Sequence, residues 1–346
     1  MSVRYRHTVL RAGKFRLDAG SMFGLIPRAV WSRTVPADEH GRVELEQNCL
    51  LLERVAGGGG APGPERVLIE VGSGDKLDAK GRGLLAMEGR TVVDALGQAG
   101  VSPEGIGAVV VSHLHFDHAG ALTRLAQPGE RPEWVGPANS FGGPRGEHGV
   151  VATFPNAQIY VQRRELADAL ANRSVMTRTY FADHVQAARP RLVVVDSPAP
   201  FAAGQVPDRG QRPAAPLEDR QTEIVPGVFV FCAPGHTWGQ QAVWFESAEG
   251  GGVCFVPDVM PTAWHAGAAY SLGYDVEPYT SMITRGWLLE EAAARGWRVV
   301  PAHHPGAAEW RVERTGGGLA GGGWYELREA PAVEAKARTV SDARGV

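Results

Sequence analysis

Residues 109–120 read VVVSHLHFDHAG: a β-branched apolar run that stops at Ser112, then three histidines and one aspartate within six residues. Residues two apart on extended backbone face the same way, so His113 and His115 can grip one ion from one side. If the chain then turns into a helix, Asp117 and His118 swing round towards a second ion. The competing reading is an exposed polar turn that happens to hold histidines. It is disfavoured because only eleven histidines occur in all 346 residues. A two-ion site needs further ligands, and later apolar runs end in them. VFVFCAP leads to His236 in PGHTWG, GVCFVP leads to Asp258, and WRVVPA leads to His303 and His304. Each alone would pass as a cap or turn residue; together, at strand ends, they read as ligands.

The runs that carry these residues set the architecture. Short β-branched segments at 66–71, 106–112, 157–162, 192–195, 228–233, 241–245, 252–257 and 297–301 read as buried strands. Helical patterns lie between them, most clearly at 163–172 and 279–294. Alternation of this kind argues for a layered α/β fold. Gly- and Pro-rich stretches at 55–65, 133–149 and 197–216 read as loops. The last could link two domains, but the candidate ligands lie on both sides of it and must meet. The expectation is therefore one domain over 1–346, with an N-terminal extension over roughly 1–45. A loosely held tail is expected from about 316 to 346, with Trp324 and Tyr325 able to dock on the body.

Composition narrows the partners. Apolar residues at 44% and charged residues at 21% are ordinary for a globular chain. A net charge of −3 without a basic segment gives no footprint for nucleic acid, so a small-molecule substrate is expected. The opening lacks the apolar core of a signal peptide, and no run reaches the roughly 18 apolar residues of a membrane span. The three cysteines, Cys49, Cys232 and Cys254, sit in apolar contexts with no metal-pair spacing. They fit a reducing, cytoplasmic compartment with no membrane partner.

With HxHxDH at 113–118, LDAGSMFGLIPRAVW at the opening, VLIEVGSGDK, FPNAQIYVQ followed by Glu165, and PGHTWGQ, the sequence resembles the metallo-β-lactamase superfamily. Within it, the opening and spacing are most similar to the N-acyl-homoserine lactonases, the quorum-quenching enzymes, and their neighbours. The resemblance implies an αββα sandwich with its active site along one edge. It also implies two divalent ions, zinc by default, although manganese, iron or cobalt suit the same ligands. His113, His115 and His236 would hold one ion, Asp117, His118 and His303 the other, and Asp258 would bridge both. His303 is preferred to His304 because the family places its last ligand just before an acidic residue and Pro. Two departures stand out. Pro257 replaces the Gly that often precedes the bridging Asp, and the lactonase Tyr is missing, with Val259, Met260 and Pro261 in its place.

The implied chemistry is hydrolysis of a lactone or related ester by metal-activated water, with Asp117 taking up and returning a proton. His265, Tyr274 or Tyr279 could stand in for the missing Tyr, although each reads first as a structural hydrogen-bonding residue. The apolar group Met22, Phe23, Leu25, Ile26, Val30 and Trp31 could line an acyl pocket, form a homodimer contact or pack as core. Phosphotriester or phosphodiester hydrolysis is the rival enzyme class. A non-catalytic metal-binding module is the other alternative, disfavoured because this ligand set leaves coordination positions open. The Glu that flavodiiron proteins carry is His115 here, which argues against redox chemistry.

Overall fold

Alternation along the strands dictates a sandwich. Val67 and Ile69 face one apolar cluster while Leu68 between them faces another, and Val253, Cys254, Phe255 and Val256 alternate in the same way. Strands buried on both faces need a layer on each side. The computed structural model describes residues 3–55, 62–138, 146–176, 178–202, 205–267, 269–317 and 323–330. In it a six-stranded sheet runs in the order Tyr5–Asp18, Arg42–Arg54, Arg66–Ile69, Ala108–Val110, Gln158–Gln162, Leu192–Val195. A seven-stranded sheet follows sequence order through Gln221–Val225, Val228–Cys232, Gln241–Glu246, Gly252–Val256, Arg298–Pro301, Trp310–Gly317 and Gly323–Glu329.

The sheets face each other across one apolar layer, in which Leu50, Ile69 and Val110 meet Val230, Phe245 and Phe255. Outside the first sheet the helices Val92–Gln98 and Arg163–Leu170 pack on Leu68, Val109 and Ile159. Outside the second, the helix Pro278–Arg295 buries Ile283, Trp287, Leu288 and Ala292 against Phe231, Cys254 and Val299. The architecture is an αββα sandwich. All three cysteines are buried and free. Among the described residues no helix is long and apolar enough to cross a membrane.

Three segments differ from the sequence expectation. The N-terminal stretch is not an appendage: Tyr5–Asp18 pairs antiparallel with Arg42–Arg54 at the edge of the first sheet, and Tyr5 bridges to Ser247 of the second. Its many charged residues on the solvated face hid the strand period. Within the supposed loop at 133–149, Trp134–Pro137 pairs with Glu147–Ala152, which in turn pairs with Thr123–Leu125 in a small third sheet. Residues 139–145 lie outside the described residues. In the supposed tail, Gly323–Glu329 pairs with Trp310–Gly317, and Tyr325 and Leu327 pack beside the outer helix. The Trp324 side chain and residues 331–346 lie outside the described residues.

Candidate metal centre

Four strands, one from the first sheet and three from the second, each deliver part of the site. Beyond Ala108–Val110 the chain passes His113 and His115, and the short helix Phe116–Ala119 turns Asp117 and His118 inward. His236 follows Val228–Cys232, Asp258 follows Gly252–Val256, and His303 follows Arg298–Pro301. The close seat of this turn depends on Gly120, where a Cβ would fall 2.1 Å from the Ser73 carbonyl oxygen.

The seven side chains converge as three overlapping trios: His113, His115 and His236; Asp117, His118 and His303; and His113, His118 and Asp258. In the first, His115 Nδ1 lies 3.0 Å from His236 Nε2. In the second, His118 Nε2 lies 3.0 Å from His303 Nε2, and Asp117 Oδ2 is 3.6 Å from His303 Nε2. Asp258 stands between the two. Its Oδ2 is 3.5 Å from His236 Nε2, while its Oδ1 is 3.5 Å from His118 Nε2 and 3.4 Å from His303 Nε2. All seven are buried, Asp117 keeping the largest exposure of the set at 8%.

Each histidine of the cluster except His115 has its outer nitrogen secured. His118 Nδ1 meets Glu70 Oε2 at 2.9 Å, His236 Nδ1 meets Asp275 Oδ1 at 2.9 Å, His113 Nδ1 meets Ser112 Oγ at 3.0 Å, and His303 Nδ1 donates to the Glu46 carbonyl at 2.9 Å. Partners of this kind fix ring orientation and tautomer at metal sites. Glu70 also accepts from the Ser112 amide, and it reaches both groups from a left-handed backbone, φ 66°. That conformation is uncommon outside glycine.

Electrostatics describe a site that wants a cation. Burial and the neighbouring histidines push His113 and His115 well below the usual imidazole range. Burial acts the same way on His118, but Asp258, Glu70 and Asp117 outweigh it and raise that ring. Burial opposes ionisation of Asp258, yet the His118 and His303 charges win and hold its carboxyl far down. Meanwhile Nε2 of His113 and Oδ1 of Asp258, both facing the cluster, are buried with no hydrogen-bond partner among the described residues. Buried polar atoms without partners are costly, and imidazole and carboxylate donors at this density suit divalent metal ions.

The other sequence candidates fall elsewhere. His304 turns away: its Nδ1 accepts from the Ala263 amide at 3.3 Å, its ring sits between Trp264 and Trp310, and burial brings it down to about 4. His265 is corrected to a structural role. It is fully buried and stacked on Phe23, its Nε2 bonds the Met22 carbonyl at 2.7 Å and its Nδ1 the Thr262 hydroxyl at 2.8 Å, so neither nitrogen is free. Tyr279 is exposed on the first turn of the outer helix. Tyr274 packs beside the cluster of Phe15, Met22 and Phe23, and burial, with the Asp18, Asp117 and Asp258 charges, raises its phenol, while a hydrogen bond with Ser21 opposes this. Met22, Phe23 and Trp31 pack as a core cluster, whereas Leu25 and Val30 are exposed.

Glu70, Asp275 and Glu165 join the site only through the fold. Glu70 carried a signal, an acid at the end of a buried strand. Asp275 lies in an irregular loop and carried none.

Residues 42–303 match the family profile described as the metallo-beta-lactamase superfamily. A comparison with curated proteins found no match. Among solved structures, a probable metal-dependent hydrolase from Staphylococcus aureus superposes with a TM-score of 0.70 at 21% identity, over 96% of this chain and 100% of that one. AidC, described as a dizinc quorum-quenching lactonase, matches at 0.63 and 15% identity over 95% and 98% of the two chains. The hydrolase AbOPH matches at 0.59 and 17% over 96% and 98%. At these identities the likeness is one of fold.

Proposed function

The chain belongs to the metallo-β-lactamase superfamily, and from that premise we propose that it is a dinuclear metallohydrolase that opens a lactone or cleaves a related carboxylic ester. The observation that carries this reading is the placement of Asp258, one oxygen towards His236 and the other towards His118 and His303. A carboxylate so placed suits a bridge between two ions. His113, His115 and His236 would hold one, and Asp117, His118 and His303 the other, with zinc the best match to the donors. When bound, such ions lower the pKa of water and polarise a carbonyl oxygen.

The chain's own residues supply the rest. Asp117 is the most exposed of the seven, and its carboxylate can take a proton from the attacking water and return it to the leaving alkoxide. Tyr274 is the remaining candidate for a donor to the carbonyl oxygen, since Asp117 and Asp258 both act on its phenol. Glu70 and Asp275 hold His118 and His236 in the tautomer that leaves Nε2 free to bind. A lactone is favoured over other esters because the sequence motifs resemble the lactonases and a structural neighbour, AidC, is described as one. Buried free cysteines fit a cytoplasmic enzyme, and exposed Leu25 and Val30 fit a homodimer contact.

Phosphotriester hydrolysis would use the same seven residues, so substrate turnover must separate the readings. Protein of measured metal content is assayed against lactones, aryl esters, phosphotriesters and a cephalosporin. Lactones should turn over fastest, with close to two ions per chain. Preference for the phosphotriester would overturn the lactone assignment, and two bound ions with no turnover on any substrate would favour a binding module.

A further inference from the structure

Glu165 lies on the first turn of the helix Arg163–Leu170, fully buried, and its carboxylate receives three neutral donors from three separate segments. Oε1 accepts from the Leu114 amide at 2.9 Å and from the Tyr180 hydroxyl at 3.0 Å, and Oε2 accepts from the Thr237 hydroxyl at 2.6 Å. Leu114 lies between His113 and His115, Thr237 follows His236, and the Tyr180 ring packs 4.9 Å from that of His115. Two of these bonds therefore anchor the loops that carry the first histidine trio, and the third holds Tyr180 against His115. The fit is tight on the far side as well, because a Cβ at Gly239 would fall 2.1 Å from the Glu165 amide nitrogen.

We propose that Glu165 is a positioning residue that sets the spacing of His113, His115 and His236 by tying the loop after one sheet to the loop after the other. The inference rests on the two-ion reading above. Gln241 ties the two sheets at the base of these loops, its amide donating to the Ser112 carbonyl at 2.9 Å, but at the ligands themselves Glu165 is the acceptor both loops share, and a metal trio tolerates only about 0.5 Å of misplacement. A single acceptor reaching both loops supplies that constraint. Burial raises the Glu165 carboxyl, and the three donors oppose the shift. The role assigned to it is geometric: in Glu165→Gln, Oε1 keeps Leu114 and Tyr180 while the amide nitrogen can donate to the Thr237 oxygen. In Glu165→Ala, all three donors lose their acceptor.

The test is a cobalt(II) titration of wild type, Glu165→Ala, Glu165→Gln and, as a marker for the first trio, His236→Ala, followed by visible absorption and chelator competition. Glu165→Ala should weaken the binding step that His236→Ala abolishes by about 10 to 100-fold, as the loss of an outer partner does, and leave the other step unchanged. Glu165→Gln should recover most of that loss. Wild-type protein binding one ion would overturn the two-ion reading. Two ions in wild type with unchanged first-step affinity in Glu165→Ala would overturn the role of Glu165, and Glu165→Gln as weak as Glu165→Ala would overturn its geometric basis. If Glu165→Ala does not fold, Thr237→Val removes one donor at nearly constant shape. It should weaken the same step, and wild-type affinity there would count against the proposal.

Discussion

His303 and His304 are adjacent in sequence and opposite in environment. His303 presents Nε2 to His118 and anchors Nδ1 on the Glu46 carbonyl, whereas His304 receives the Ala263 amide and packs between two tryptophans. The chain turns as it leaves Arg298–Pro301 and sends the two rings into different surroundings, so one joins the cluster and the other leaves it. His303→Ala should lose one ion and most of the turnover. His304→Ala should keep both ions and lose stability instead, by roughly 1 kcal/mol for the half-buried Ala263 bond and more through lost packing between Trp264 and Trp310. Metal content and urea melts of both variants decide this, and an empty second site in His304→Ala with a filled one in His303→Ala would reverse the assignment. His265 carries a related lesson. A histidine soon after Asp258 looks available in sequence, yet both of its nitrogens are already committed to Met22 and Thr262.

At the scale of elements, the short helix Phe116–Ala119 carries two of the seven residues, and one turn is too short to hold its own position. The loop after Arg66–Ile69 does so. Gly72 and Gly74 take positive φ, Gly120 packs against Ser73, and the buried Lys76 ammonium donates to the Gly120 and Thr123 carbonyls. Burial lowers Lys76 from 10.5 to about 8, with Asp183 and Asp75 opposing. The sign of the pH effect follows from linkage: between these values the unfolded chain holds a proton that the folded chain has released, so this group makes stability rise with pH across that window. Below pH 8 both states are protonated and the contribution is flat. Wild type should therefore gain stability relative to Lys76→Met between pH 8 and 10, by up to about 1.4 kcal/mol per pH unit. Parallel pH slopes for the two proteins in chemical denaturation would show that Lys76 is not held in this state.

The whole molecule closes around one edge. The N-terminal strand bridges to the second sheet at Ser247, and His7 on that strand meets Glu309 at 2.9 Å, so the two sheets are also joined away from the metal cluster. The sandwich core consequently does not depend on the cluster, but the cluster gathers buried ionisable groups that an ion would partner. Chelation should lower the melting temperature without abolishing folding. For an ion present at a hundred times its Kd the linked loss is about 2.7 kcal/mol. Calorimetry with and without chelator, and with zinc restored, measures it; an unchanged melting temperature would count against tight metal binding in the folded state.

The chain by itself already determines much of its structure. Buried strands, the two longest helices and the density of histidine and aspartate at 113–118 are legible because they are local, set by side-chain period and by neighbours a few residues apart. Only the tertiary structure decides what depends on distant contacts. Glu70 reaches His118 across 48 positions, Asp275 reaches His236 across 39, and His115 meets His236 across 121. The same holds for the N-terminal hairpin, whose charged outer face conceals a strand until its partner covers the other side. A lone acid or histidine in a loop acquires its role from what folding places opposite it, and that geometry is set by sheet pairing and packing rather than by any pattern within the loop itself.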